Sequence, residues 1–336
     1  MISDKIHAPD EDEMTLRRAP GHSTATFLRL TAVVLVGILV FFGSATIAAA
    51  RVNNDDLRKE YGDKVLTMRQ AYPGEHLHFD AAGRLSAAIS PGPWTVYAQV
   101  RVKDISLKGG VVHIGAQRLV LFYDKQSRQL RDIDSLTKDD SASQLFDMKA
   151  VGKWAKQKVH VEVDCGVQEP EMADVVKAMN AVFVASGEPL AEAVPDYWKD
   201  WFQKNAAAPK SEPSKSETKI QTFGAGGGLH AGSEDTAPPN GVYRAGRGVQ
   251  PPHPTYHPDP EFTEMARALR FQGICVLQLV VDRDGSTRDI RVIKPVGLGL
   301  DEKSVEAVRS WRFDPSTKDG EPVPVQITVE TSFHLY

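Results

Sequence analysis

The stretch Gly74-Glu-His-Leu-His-Phe-Asp80 places two imidazoles and two carboxylates close together in the chain. Alternate residues of a strand share a face, so His76 and His78 would point the same way, and Glu75 or Asp80 could join them around a metal ion. The competing reading, which we adopt, is a pair of solvated histidines ahead of a turn at residues 80–83, and no metal ligand is assigned. His253 and His257 flank prolines and are treated alike. The glycine run at 224–228 is no phosphate loop, because no Lys-Ser/Thr follows it. Ser, His and Asp are all present, but a nucleophile elbow of the G-x-S-x-G type is missing. Cys165 and Cys275 match no metal or redox spacing and sit in apolar, strand-like runs, so they read as two small buried hydrophobes rather than a disulfide. The chain is therefore read as a non-enzyme, with no catalytic residue and no cofactor.

The elements around these groups are more informative. The chain has 336 residues, a formal net charge of −4 and 41% hydrophobic residues, which gives room for two modest domains and no electrostatic case for nucleic acid. Residues 1–29 read as a polar cytoplasmic tail. Residues 30–50 carry no charge and match the roughly 20 apolar residues that a membrane helix needs. Arg17, Arg18 and Arg29 precede this run, which puts the bulk of the chain outside the cytoplasm. A signal peptide cleaved after Ala48-Ala49-Ala50 is the alternative, and Met14 is a second candidate start.

Residues 51–204 read as an α+β domain. Strands are expected at 94–107, 111–123 and 158–164. A helix is expected at 170–186, with Met172, Val175, Val176, Met179, Val182 and Phe183 on one face, and a short one at 196–202 carrying Trp198 and Trp201. Residues 205–249, rich in Pro, Gly, Ser and charge, read as a flexible linker. The proline-studded run 251–260 gives a stiff, extended entry to the last domain.

Residues 250–336 read as helix, strand, strand, helix, strand. A first helix at 261–270 leads into a strand at 273–281, a turn closed by Asp284-Gly285, and a return strand at 286–294. Leu300-Asp301 opens the second helix, with Asp301 as the expected N-cap and Glu302 at the positive helix end. Leu300, Val305, Val308 and Trp311 fall on one stripe that can cover a small sheet. Trp311 and Phe313 add large apolar area, and Pro315 stops the element. Asp319-Gly320 is a second turn. In the closing strand Val325, Ile327, Val329, Thr331 and Phe333 alternate with Gln326, Thr328, Glu330 and Ser332.

Ala266, Gly273, Asp284-Gly285, Leu300-Asp301, Ala307, Trp311-Arg312-Phe313 and Pro315 together resemble the C-terminal domain of the TonB family of energy transducers. The family's usual Tyr-Pro entering the first helix stands here as Phe262-Thr263. The resemblance implies a strand-accepting platform: an extended segment of an outer-membrane TonB-dependent transporter would pair with the edge strand at 325–333. It also implies an inner-membrane anchor, a periplasmic location and inner-membrane proton-channel partners, which energise uptake of iron chelates or cobalamin. Two departures bear on coupling. The family's membrane helix carries a serine and a histidine, whereas residues 30–50 have Ser44 and no histidine. A domain also stands where the family has a long proline-rich spacer. The rival readings are an exported, anchored scaffold without proton-motive coupling, and a metal or small-ligand sensor built on the middle domain.

Overall fold

The computed structural model describes residues 51–206, 229–231 and 241–335. The expected tail and membrane span, and much of the expected linker, lie outside the described residues. Among the described residues no helix is long and apolar enough to cross a membrane.

The middle domain is built on one mixed sheet. Helix α1 (Asn54–Tyr61) is followed by β1 (Val65–Thr67), β2 (His76–Phe79), a short α2 (Trp94–Tyr97), β3 (Gln99–Lys108) and β4 (Val111–Leu119). After β5 (Leu121–Asp124) and β6 (Gln129–Asp132) come α3 (Met148–Trp154), β7 (Lys158–Asp164), α4 (Met172–Val182), α5 (Leu190–Ala193) and α6 (Asp196–Ala206). The sheet order is β1-β3-β4-β7-β2, with β2 parallel to β7. Strict alternation in β4 and β7 sends Val112, Ile114, Val159, Val161 and Val163 inward. There they meet Leu57 of α1 and Val175, Ala178, Met179 and Val182 of α4. Burial of such side chains is worth about 1.5–3 kcal/mol each. Both helices open with capping boxes: Asn53 Oδ1 accepts from Asp55 N and Asp56 N, and Asp174 Oδ2 accepts from Glu171 N.

Three expectations for this domain need correction. The strand expected at 94–107 begins only at Gln99, because the segment after Pro93 first makes the turn of α2. The strand expected at 111–123 breaks at Val120, and β5 pairs with β6 in a separate ribbon. The helix expected at 170–186 is shorter, and Val176, placed on its apolar face, is exposed.

The C-terminal half contributes β8 (Leu229–Ala231), β9 (Tyr243–Arg244), β10 (His253–Tyr256), α7 (Glu264–Ala268), β11 (Gly273–Val281) and β12 (Thr287–Lys294). Then follow α8 (Leu300–Ser310), β13 (Arg312–Asp314), β14 (Thr317–Lys318), β15 (Glu321–Pro322) and β16 (Val325–Phe333). The sheet order is β12-β11-β16-β8, and β9 pairs with β16 as well. The helix expected at 261–270 spans only 264–268, because Thr263 caps it through Oγ1 to Ala266 N (3.1 Å). The stiff entry segment contains β10, which pairs with β13. The turn at 319–320 forms as expected, with positive φ at Asp319 (51°) and Gly320 (86°).

A second core crosses between the two halves. Trp94, Phe122, Phe146, Val151, Trp198 and Trp201 pack in one cluster with Phe271, Leu277, Leu298, Leu300 and Val308. Phe146 stacks on Phe271 at 4.8 Å between centroids, and Trp94 lies 6.1 Å from Trp198. Asp200 of α6 pairs with Arg291 of β12 at 2.6 Å. The C-terminal sheet thus shares apolar contacts with α2, β5, α3 and α6.

Candidate functional site

The strand expected to accept a partner is β16 (Val325–Phe333). On its inner side all nine residues pair with β11, from Gly273↔Phe333 to Val281↔Val325. Alternation sends Val325, Ile327, Val329, Thr331 and Phe333 into the core. Its outer side was expected to be an open edge and is instead partly occupied. Backbone of β8 pairs antiparallel with Ile327, Thr328 and Val329, and β9 pairs parallel with Val325 and Gln326. Both strands come from the stretch read as a flexible linker. A Gly- and Pro-rich composition predicts little burial, but backbone ladders need no apolar side chains, so short pairings of this kind leave no periodic signal. Gln326 Nε2 and Thr328 Oγ1 are buried and have no hydrogen-bond partner among the described residues.

The residues of the motif set the geometry behind this strand. Leu300, Val305, Val308 and Trp311 are all buried, as the stripe predicts. Trp311 Nε1 donates to Pro258 O at 3.0 Å, which ties the helix end to the entry segment. Arg312 Nη1 donates to the Trp311 carbonyl (2.7 Å) and reaches the Ser310 carbonyl (3.3 Å), so it satisfies acceptors left at the end of α8. Gly285 has φ 78°, and a Cβ there would stand 1.9 Å from Phe313 O. Phe313 N donates back to Gly285 O at 3.0 Å. The Asp284-Gly285 turn and the Trp-Arg-Phe end of α8 are therefore one packing unit.

Asp301 is not the N-cap. That position is held by Gly299 in a left-handed conformation (φ 77°), and Asp301 turns inward, fully buried. Its two carboxylate oxygens accept from Val296 N and Gly297 N, each at 2.7 Å. Glu302 faces α2 rather than solvent: its Oε1 accepts from Trp94 N (2.8 Å) and Trp198 Nε1 (3.3 Å). Burial, followed by the neighbouring Glu302 charge, pushes the Asp301 carboxyl up to about 7, and burial raises Glu302 too. Both cysteines are free thiols and buried, and burial pushes each thiol up.

The histidines of the middle domain lie on the polar face of its sheet. His76 and His78 share that face as alternation requires, but Asp80 does not join them. Its carboxylate accepts from Ala82 N and Arg84 N and pairs with Arg84 Nε at 2.8 Å. The centre of the group is Glu162 on β7, which the sequence reading missed. His78 Nδ1 lies 3.0 Å from Glu162 Oε2, while His113 Nδ1 and His160 Nε2 lie 3.1 and 3.6 Å from Oε1. Register explains the convergence: His78 and His113 both pair with Glu162, and His76 pairs with His160. The alternation of Lys158–Asp164 already put His160 and Glu162 on one face; the pairing with β4 and β2 had no local signal. Hydrogen bonding from His78 is the main cause that holds the Glu162 carboxyl below its ordinary range.

Beside this face a cavity of about 340 Å³ is lined by Tyr97, Arg118, Lys153, Trp154 and Lys158. Arg118 is buried and donates to the carbonyls of Tyr97 (2.9 Å), Tyr72 (3.0 Å) and Gly74 (2.6 Å). Burial lowers its pKa to about 10.

Residues 258–335 match the family of Gram-negative bacterial TonB protein C-terminal domains. The chain carries a TonB-like C-terminal domain, and domains of that family generally take part in the interaction with outer-membrane transporters. The solution structure of the Pseudomonas aeruginosa TonB C-terminal domain is similar at 23% identity, over 27% of this chain and 89% of that one, with a TM-score of 0.22. None of the curated proteins matches the chain.

Proposed function

We propose that the chain is an anchored, periplasm-facing adaptor whose TonB-like domain takes an extended segment of an outer-membrane transporter along β16, in support of energised uptake. The observation that carries this reading is the arrangement of β16. It is fully paired on one side with β11, and on the other, among the described residues, only with three residues of β8 and two of β9. Backbone pairing supplies affinity in such an arrangement and alternate side chains supply specificity. A transporter segment would replace the short internal strands, so the platform is self-covered when idle. Residues 30–50 would hold the chain in the inner membrane. The test is binding of the detergent-solubilised full chain to transporters from the native outer membrane, with and without strand-breaking substitutions in β16. Capture that ignores those substitutions overturns the proposal.

A second reading is favoured by one feature of the sequence. The uncharged run at 30–50 has no histidine, and intramembrane ionisable groups are the usual mark of proton coupling. In that reading the chain is a scaffold that engages transporters without drawing on the proton-motive force. Co-purification of a proton-channel complex through residues 1–50 separates the two.

A further inference from the structure

We propose that the polar face of the middle-domain sheet holds a transition-metal site whose ligands are His113, His160 and Glu162, with His78 positioning the carboxylate. This inference is independent of the reading of the C-terminal domain.

Three adjacent strands bring the donors together. His113 comes from β4, His160 and Glu162 from β7, and His78 from β2. One ligand atom from each of His113, His160 and Glu162 can be chosen so that all three lie within 4.8 Å of one another. Two imidazole nitrogens converge on a single oxygen, Glu162 Oε1, at 3.1 and 3.6 Å. Ligands held about 2.0–2.1 Å from a tetrahedral zinc ion stand roughly 3.3 Å apart, so small rotations of these side chains suffice to enclose a cation. The other oxygen, Oε2, is held by His78 Nδ1 at 3.0 Å. Such outer partners fix the orientation of a ligating carboxylate. The strands themselves are rigid, since the opposite faces of β4 and β7 are buried among valines and isoleucine. Gly115 pairs with His160, and the Asp104 carboxylate fills the space that a Cβ at Gly115 would take, 2.0 Å from that position.

The donor chemistry selects the ion. Two imidazoles and one carboxylate suit zinc or its neighbours in the first transition row, whereas calcium and magnesium call for all-oxygen shells. Three protein ligands leave a fourth position for water or a partner's side chain. The ligands are reachable, because the His113, His160 and Glu162 side chains keep 28%, 38% and 34% of their surface exposed.

The experiment uses the full chain in detergent, prepared without a polyhistidine tag and stripped with a chelator. Zinc ion is titrated by calorimetry, and cobalt(II) serves as a spectroscopic probe of tetrahedral coordination. The expected result is one saturable site of micromolar affinity or tighter, with cobalt d–d bands of tetrahedral intensity. His160→Ala and Glu162→Gln should each weaken zinc at least about tenfold, as loss of a ligand or its orientation does. The double variant His253→Ala/His257→Ala should bind like the parent. Circular dichroism in chelator confirms that each variant is folded, and zinc should raise the melting temperature of the parent but not of Glu162→Gln. Absence of a saturable site, or equal binding by the parent, His160→Ala and Glu162→Gln, overturns the assignment.

Discussion

Gly297 crosses Leu121 at backbone distance: a Cβ on Gly297 would stand 2.5 Å from the Leu121 carbonyl oxygen and 2.5 Å from Phe122 Cα. On either side of this crossing Leu298 N donates to Leu121 O at 2.7 Å and Tyr123 N donates to Val296 O at 2.8 Å. The segment that leads into α8 is therefore clamped to β5, and this clamp joins the middle domain to the C-terminal sheet. Both contacts are main chain to main chain, so neither side can yield by changing rotamer.

Gly297→Ala should loosen this joint. The residue has φ 94°, so an alanine pays for the conformation as well as for the clash. A loss of about 2–4 kcal/mol is expected in denaturant melts of the full chain. Gly320→Ala is the control, because φ is also positive (86°) but nothing lies within 4 Å of the added carbon. That variant should lose only about 1 kcal/mol. Equal losses would mean that the crossing contributes nothing beyond backbone strain.

Trp311→Ala should cost about 3–5 kcal/mol, the usual range for a large core truncation. Trp311 is only 4% exposed, and it also gives up the bond from Nε1 to Pro258 O. Trp311→Phe keeps most of the apolar area and loses the donor, so it should fall between the parent and alanine. The full chain is the right object for these melts, because the C-terminal core continues into Trp94 and Trp198. A loss below about 1 kcal/mol for alanine would place the indole outside the core.

How much of this was legible follows from where each signal lives. The helix-strand-strand-helix-strand order of the C-terminal domain rests on local alternation and turn residues, and Leu300, Val305, Val308 and Trp311 are buried where their spacing puts them. Asp301 was misread because an Asp ahead of an apolar stripe has the same local signature whether it caps the helix or turns inward. What turns it inward is the pair of N–H groups at Val296 and Gly297. Glu302 was read as a helix-end charge, and its partners Trp94 and Trp198 lie in another domain. The histidine site shows the same limit. His76 and His78 stood out as neighbours in sequence, yet the convergence on Glu162 depends on strand order and register. The short backbone pairings of β8 and β9 left no periodic pattern in the sequence to read.

Asp301 and Glu302 give the fold a pH dependence of definite sign. A carboxyl raised by burial binds its proton more tightly folded than unfolded, where Asp titrates near ~3.9. Between that value and about 7 the folded chain holds the extra proton, so the contribution to stability is complete at low pH and is lost as pH rises through about 7. Carboxylates such as Asp80 and Glu188, held low by hydrogen bonds, work in the opposite direction only in more acidic solution. Asp301→Asn should therefore flatten the decline in denaturant midpoint between about pH 4 and pH 7. A decline as steep in the variant as in the parent would assign the effect to other groups.

The last prediction concerns capture along β16. Successive residues of a strand direct their N–H groups to opposite sides, so Gln326 and Ile327 serve different neighbours, β11 on one side and β8 or β9 on the other. Proline removes the donor and is tolerated only where that donor is dispensable. Of Gln326→Pro and Ile327→Pro, one should unfold the domain by breaking the ladder to β11. The other should stay folded by circular dichroism and lose transporter capture, because it removes a donor only from the outer side. The short internal strands add a second, opposite handle. Glycine keeps the ladder donors and acceptors but costs backbone entropy on ordering, about 0.5–1 kcal/mol per strand residue, so replacing Leu229, His230 and Ala231 together by glycine should weaken the competing β8 pairing by up to a few kcal/mol. Capture should then tighten by about tenfold, since 1.4 kcal/mol corresponds to that factor. Tighter capture with the triple-glycine variant, together with lost capture in the folded proline variant, is the pattern that strand replacement requires. If both proline variants fold and still bind transporters, the partner docks elsewhere on the domain and the pairing of β8 with β16 serves only the fold.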